Sequence, residues 1–378
     1  MKSTQSADPQ AFPLEEQLVG VNAKTGLYPG ARSWSGGRFR ILGKGPLESY
    51  CYHVISRTCG GEVVFDDVEK EALRRVIWRM AEFSGIKVVT YCLMGNHFHL
   101  LAEVPHQQTW LQRFEGPDGE AKLLEHLRIL YSRAYVGLLR EELADWRARG
   151  MAVLAEQRLN AIKRRFCDLS LFIKEIKERF SRWFNKRRGR RGTLWMDRFK
   201  SVLVEGKGEP LRTMAAYIDL NPVRAGLVKD SKDYRWCGYA EALGGSRRAQ
   251  RGLGKALGKP VDGWQSAGVA AAYRCLLHAE GREVMDAQNE KVVSRGVTVA
   301  SARAVLAEKG KLSPAELVRL RVRYFSDGVV LGSKAFVEDI FAAQRERFGP
   351  RRKDGARRMA ESSAPLYTLR QLQLRPLE

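Results

Sequence analysis

Hydrophobic and polar residues change their period several times along this chain, and each change marks an element. From Tyr50 to Arg57 the run YCYHVISR alternates and is rich in β-formers, which predicts a strand. Residues 66–84 open on two aspartates and place Leu73, Val76, Ile77 and Met80 at helical spacing. An amphipathic helix is expected there, closed by Gly85. IKVVTYCLM (86–94) predicts a second strand and HFHLLAEV (97–104) a third, with Gly95-Asn96 as a tight turn between antiparallel neighbours. Residues 106–167 are charged, helical in propensity and free of strand signals, so they read as an insertion. A helix over about 169–187 carries Leu169, Phe172, Ile173, Ile176, Phe180, Trp183 and Phe184 along one side. A fourth strand is expected at 195–205. A short helix at 210–221 follows, with Pro210 in its first turn and Pro222 making Asn221 its last residue. Strand, helix, strand, strand, helix, strand, helix is the order of an α+β sandwich with a mainly antiparallel sheet.

The ends of the chain read differently. Residues 1–46 are rich in Gly, Ser and Arg without a sustained period, and are expected to be a partly ordered extension. Beyond about residue 240, GGSRRAQRGLGKALGKP (244–260) reads as a basic, Gly-rich linker, and the remainder as helical. Ser313-Pro314-Ala315-Glu316 is a capping box that opens a helix ending near Asp327-Gly328; a second helix starts after Ser333. The basic run Arg351, Arg352, Lys353 follows it. Two helices joined by a short Gly-containing turn have the form of a helix-turn-helix. Three parts are therefore expected: 1–46, a core domain over 47–240, and a helical C-terminal domain over 241–378.

Composition narrows the function. Hydrophobic residues make up 44% and charged residues 29%, which excludes a wholly disordered chain. The formal net charge is +22 and the pI near 9.9, so a polyanionic partner is expected, nucleic acid first and an anionic membrane as the competitor. No stretch approaches the roughly 18 apolar residues of a spanning helix, and the N-terminus lacks an apolar signal region, so the cytoplasm is the expected location. Six cysteines without a C-x-x-C pair read as reduced, largely buried thiols rather than a zinc site.

Candidate chemistry starts at two of the six histidines. His97 and His99 are two residues apart on a predicted strand, so both imidazoles project from one face while Phe98 enters the opposite layer. Parallel imidazoles on a rigid strand make a bidentate metal platform, although strand histidines with ordinary polar partners share the spacing. Glu103 shares that face with His99 in a regular strand, as a candidate outer ligand, and His53 on the first strand reads first as a structural residue. On the helix at 210–221, Leu211, Met214, Ala215 and Ile218 form the packing stripe, and Tyr217 and Asn221 stand together on its flank. Residues 179–200 hold nine Lys/Arg against one acid, interleaved with Trp183, Phe184, Trp195 and Phe199. Cations for phosphates and aromatic faces for bases form a single-strand-binding composition. Lys186, Arg187, Arg188, Arg190, Arg191, Arg198 and Lys200 are the candidate DNA contacts.

The segments YCLMGNHFHLLAEVP, FSRWFNKRRGRRGTLWMDRFKSVLVE and YIDLNPVRAGLV, in that order, resemble the single-tyrosine HUH transposases, and within them the REP-associated tyrosine transposase group. The likeness runs over about residues 47–240. It implies the HUH nuclease fold, a ferredoxin-like or RRM-like antiparallel sheet with helices. It also implies a divalent metal, Mg²⁺ or Mn²⁺, held by His97, His99 and the Asn221 side-chain carbonyl, with Tyr217 as nucleophile toward single-stranded or hairpin DNA. The insertion at 106–167 is long for that group, and the part after 240 lies outside its pattern. Two rival readings stay open: a replication or transfer nickase with the same chemistry, and a DNA-binding regulator that no longer cleaves.

Overall fold

Strand β1 (Ser49–Arg57), helix α1 (Asp67–Ser84), strands β2 (Lys87–Leu93) and β3 (His97–Pro105), helix α6 (Leu169–Arg188) and strand β4 (Lys200–Val204) follow one another as the sequence predicts. The structure is a computed structural model. It describes residues 49–259, then 264, 268–285, 292–312, 331–332, 334–343, 345–348, 350, 352–358 and 367–369. The extension expected at 1–46 and the capping box and helix expected from 313 lie outside the described residues, so the first half of the expected helix-turn-helix does too. The chain divides into two compact units, one ending at Met214 and the other beginning at Ala215.

In the first unit the four strands form an antiparallel sheet in the order β2-β3-β1-β4, the ferredoxin-like arrangement. One face of the sheet packs on α1 and α6. Tyr91 meets Trp78 edge-on at 6.1 Å, and Phe98 meets Trp195 at 5.6 Å, beside Phe65 and Phe180. Both helices are closed by sequence-encoded caps. Asp66 accepts from the Val68 and Glu69 amides at the start of α1, and Asp168 accepts from the Leu171 amide at the start of α6. Gly85 ends α1 at φ 75°, and a Cβ there would also collide with the Trp110 indole.

The insertion is helical as expected: α2 (Gln107–Leu111), α3 (Gly119–Leu127), α4 (Arg133–Ala148) and α5 (Ala152–Lys163). Trp110, Phe114, His126 and Phe166 gather on Phe83 of α1, and His126 Nε2 lies 2.7 Å from the Phe83 carbonyl oxygen. Arg165 grips Glu175 of α6 through two 2.8 Å hydrogen bonds and lies over the Phe83 ring. Strand β4 is shorter than the expected 195–205. Trp195 pairs only as an isolated bridge with Thr58 and turns its indole inward, donating to the Lys177 carbonyl, so regular pairing resumes at Lys200.

Helix α7 (Gly208–Asp219) ends two residues before its expected limit, and a separate turn, α8 (Asn221–Arg224), starts at Asn221. Pro222 has no N–H to continue α7 but fits the first turn of a new helix. The core domain was expected to run to about 240, whereas the second unit starts within α7. Asp219 gives the reason: it is fully buried and accepts from the Tyr273 hydroxyl at 2.7 Å and the Tyr239 amide at 3.1 Å. These bonds tie the end of α7 to α9 (Gly238–Leu243) and α11 (Val269–Glu280).

The expected linker at 244–260 is instead largely helix α10 (Arg247–Ala256). Its buried Ala249, Leu253 and Ala256 form one stripe, and buried Gln250 donates to the Ala242 carbonyl. Glycine content outweighed that stripe in the sequence reading. The remainder includes helices α12 (Val299–Ala307) and α13 (Lys334–Ala343), but also strands the sequence reading lacked. They are a pair, β5 (Val284–Met285) and β6 (Val292–Ser294), and a three-stranded sheet of β7 (Leu331–Gly332), β8 (Ala356–Arg358) and β9 (Tyr367–Leu369). Two or three residues are too few for a period to register. No helix among the described residues is long and apolar enough to cross a membrane.

Replacing Arg165 by Met should destabilise the first unit by up to about 3–5 kcal/mol, because it leaves the nearly buried Glu175 carboxylate with only its longer, 3.5 Å pairing to Arg179. The Arg165→Met/Glu175→Leu double variant should recover much of that loss in urea unfolding. A single variant as stable as wild type would show that the pair carries no such weight.

Candidate functional site

Strands β1 and β3 pair without a break, which sets the composition of the sheet face away from α1 and α6. Arg57 stands opposite His97, Ile55 opposite His99, and His53 opposite Leu101; on the other side of β1, Lys200 stands opposite Ile55. Directly paired residues and residues two apart share a face. His53, Arg57, His97, His99, Glu103 and Lys200 therefore lie on one face, while Phe98 is fully buried in the other layer.

The three histidines form a contiguous group. The His97 and His99 ring centroids are 5.0 Å apart, and His53 Nε2 lies 2.9 Å from His99 Nδ1. His97 Nδ1 lies 2.6 Å from the Asn96 side-chain oxygen. His53 and His99 are buried and His97 is partly exposed. Burial is the main cause that holds the His53 and His97 imidazoles down at about 4 and His99 at about 3. The Arg57 guanidinium adds to the effect on His97 and His99, and the neighbouring rings add to that on His99. All three are neutral at pH 7, the state in which an imidazole offers a lone pair to a metal.

Among the described residues no three His, Cys, Asp or Glu side chains are arranged to hold a metal ion. What the face offers is narrower: two neutral imidazoles, each with Nδ1 engaged by a neighbour. That donor set fits a divalent ion whose remaining positions are filled by amide, phosphate or water oxygens, and it falls short of a closed protein cage.

Tyr217 and Asn221 stand in the second unit. Tyr217 is 39% exposed on α7 while its neighbours Ala216 and Ile218 are buried, and the Arg224 guanidinium lies 4.9 Å from the Tyr217 ring centroid. The Asn221 side-chain nitrogen donates to the carbonyls of Tyr217 and Ile218, at 3.0 and 3.2 Å. That is a C-cap, and it leaves the amide oxygen as the atom suited to a metal or a donor.

The basic residues after α6 divide in two. Arg187 and Arg188 reach back to α1, where both pair with Glu69 and Arg188 also with Asp66. Arg190 donates to the Thr193 carbonyl. Lys186, Arg191, Arg198 and Lys200 are exposed, and none of them makes an ion pair among the described residues. Of the interleaved aromatics, Phe184 and Trp195 belong to the core.

Sequence reasoning passed over Arg57 and Asn96. Arg57 is exposed, faces His97 across the sheet and makes no ion pair among the described residues. A count of two from His53 through Ile55 reaches it, but its place beside His97 depends on a register that periodicity does not give. Asn96 was read as a turn residue only.

Residues 47–113 match the family model described as Transposase IS200 like. The matched segment holds His53, Arg57, Asn96, His97 and His99, and Tyr217 and Asn221 lie beyond it. Among solved structures, one described as the REP-associated tyrosine transposase bound to a REP hairpin is similar to this chain at 14% identity, with a TM-score of 0.32. The similarity covers 54% of this chain and 84% of that one. No curated protein matches the chain.

The depressed imidazoles make stability depend on pH. In an unfolded chain they take up protons near pH 6.5, whereas the folded protein resists until about 4 for His53 and His97 and about 3 for His99. Below about 6.5 the unfolded state therefore binds more protons, and stability falls with pH until the folded values are passed. The metal-free protein should lose more of its urea midpoint between pH 7.5 and 5 than a His53→Gln/His99→Gln variant does. Equal losses would contradict the burial of neutral rings.

Proposed function

We propose, taking residues 47–113 as an IS200-like transposase segment, that the chain is a metal-dependent single-stranded DNA endonuclease and strand transferase. It acts through a 5′-phosphotyrosine intermediate on hairpin-forming DNA. The observation that supports this reading most is the His97–His99 pair on β3: neutral, 5.0 Å apart, and inside the matched segment. A protein that only binds DNA gains nothing from two neutral imidazoles held ready as metal ligands.

His97, His99 and the Asn221 amide oxygen are the proposed ligands of Mg²⁺ or Mn²⁺, which when bound supplies Lewis acidity at the scissile phosphate. Arg57 and Lys200, on the same sheet face as the histidines, suit the phosphate's charge. Tyr217 is the nucleophile. Its role rests on the Y-I-D-L-N spacing and on its exposure between buried neighbours. The Tyr217 oxygen attacks phosphorus, the bond to the 3′-oxygen breaks, and the proton leaves the phenol as the departing 3′-oxygen gains one. A 5′-phosphotyrosine and a free 3′-OH result. A second 3′-OH can reverse the step with a new strand, because the phosphodiester energy is kept in the covalent link. Arg224 over the phenol ring favours the developing phenolate. Lys186, Arg191, Arg198 and Lys200 are the side chains most available to the DNA backbone, whereas Arg187 and Arg188 meet phosphate only in competition with Glu69.

Tyr217→Phe should bind a hairpin-bearing single strand as wild type does and form no protein–DNA adduct on denaturing gels. His97→Ala or His99→Ala should reduce cleavage to background, and Asn221→Ala should raise the metal concentration that cleavage requires. Cleavage undiminished in excess chelator would overturn the mechanism, and an adduct in the Tyr217→Phe protein would overturn the choice of nucleophile.

A further inference from the structure

We infer that Asn96 and His53 are positioning residues: Asn96 accepts from Nδ1 of His97 and so holds that imidazole in the tautomer whose lone pair is on Nε2, and His53, set against Nδ1 of His99, fixes the orientation of the second ring. The inference rests on the reading of His97 and His99 as metal ligands and deepens it.

The orientation of the Asn96 amide starts the argument. Its nitrogen donates to the Gly61 carbonyl at 2.7 Å, so its oxygen is the atom 2.6 Å from His97 Nδ1. An amide oxygen only accepts, so Nδ1 carries the ring's one proton and Nε2 keeps the lone pair. Flipping the amide would set two oxygens against each other at Gly61. The Gly61 carbonyl is itself fixed. Gly60 and Gly61 adopt φ 61° and 69°, a turn that residues with a Cβ rarely make. The same turn grips Asn96 from behind, since the Thr58 amide and hydroxyl both donate to the Asn96 carbonyl, at 2.9 and 3.1 Å. The Val64 and Phe65 amides donate to the carbonyl of Gly95. Four hydrogen bonds thus lock the backbone of the β2–β3 turn, and the fifth aims the Asn96 oxygen.

His99 is held in a different way. Its Nδ1 is 2.9 Å from His53 Nε2, the ring planes differ by 10° and the centroids are 5.2 Å apart. The centroid separation is close to the nitrogen–nitrogen distance plus two ring radii, so the rings meet edge to edge and nearly in one plane. A lone pair and an N–H therefore point straight at each other. Either ring can donate this bond, so the contact fixes the orientation of the His99 ring rather than its tautomer. Nε2 is the nitrogen farthest from the backbone, so in His97 the fixed tautomer presents its lone pair at the distal end of the ring, on the face of β3 that also carries His99. Partners of this kind on the second nitrogen fix ring orientation and raise ligand basicity.

The test uses the full-length, metal-free protein labelled with ¹⁵N, in which the six histidines give a spectrum simple enough to assign with His97→Gln and His99→Gln. Long-range proton–nitrogen correlations at pH 7.5 should show the Nδ1–H tautomer for His97. Mn²⁺ titrated by calorimetry should bind about 10–100-fold more weakly to Asn96→Ala and to His53→Ala. Asn96→Asp keeps an acceptor on Nδ1 but loses the donor to the Gly61 carbonyl, so it should recover only part of the loss at Asn96. An Nε2–H tautomer of His97 in the wild-type protein overturns the inference, as does unchanged Mn²⁺ affinity in folded Asn96→Ala and His53→Ala. Wild-type Mn²⁺ binding that is absent, or indifferent to His97→Ala and His99→Ala, overturns instead the metal reading on which it rests.

Discussion

The antiparallel pairing of β1 with β3 is the constraint on which the rest of the first unit depends. It runs unbroken from Ser49 opposite Pro105 to Arg57 opposite His97. Side chains alternate along a strand, so sliding β3 by one residue would send His97 and His99 into the layer that Phe98 fills against Trp195. The same slip would bring Phe98 to the face with His53 and Arg57. Burial of Phe98, Leu100 and Ala102 on the helix side is therefore what holds three imidazoles and a guanidinium on the other. Hydrophobic packing chooses the register, and the register assembles the polar face.

That dependence explains what was legible in the sequence. Strands with a clean alternation and helices with a clean stripe were readable, and so were caps such as Asp66, Gly85 and Asp168. The H-x-H spacing was readable because it is local. His53 and Arg57 share the face with His97 and His99 through a partner strand more than forty residues away, and no local period encodes that. The misreadings after residue 240 have related causes. Helix α10 hides among glycines, although Ala249, Leu253 and Ala256 keep its stripe. The strands β5 to β9 have two or three residues each and owe their pairing to their neighbours. The end of α7 was misplaced because Asn221 before Pro222 reads as a terminus, while the structure makes it a beginning.

The net charge of +22 is also not one property but two. Some arginines are spent on the fold: Arg165 holds the insertion to α6 through Glu175, and Arg187 and Arg188 tie the end of α6 to the start of α1. Others stand outside any ion pair among the described residues, and Arg57 and Lys200 do so on the histidine face itself. The proposed chemistry needs that second group. A divalent ion held by two neutral imidazoles would keep its full positive charge for the phosphate, and the Arg57 and Lys200 cations on the same face would favour the same anion.

The proposed chemistry stores a broken phosphodiester bond on Tyr217, and the covalent product tests it most directly. The full-length protein would be incubated with Mg²⁺ and a hairpin-bearing single strand, the adduct digested with trypsin and nuclease, and the modified peptide sequenced by mass spectrometry. The account predicts a nucleotide linked through its 5′-phosphate to Tyr217, in the peptide running from Thr213 to Arg224. A nucleotide on any other residue, or a cleaved strand with no adduct, would contradict it.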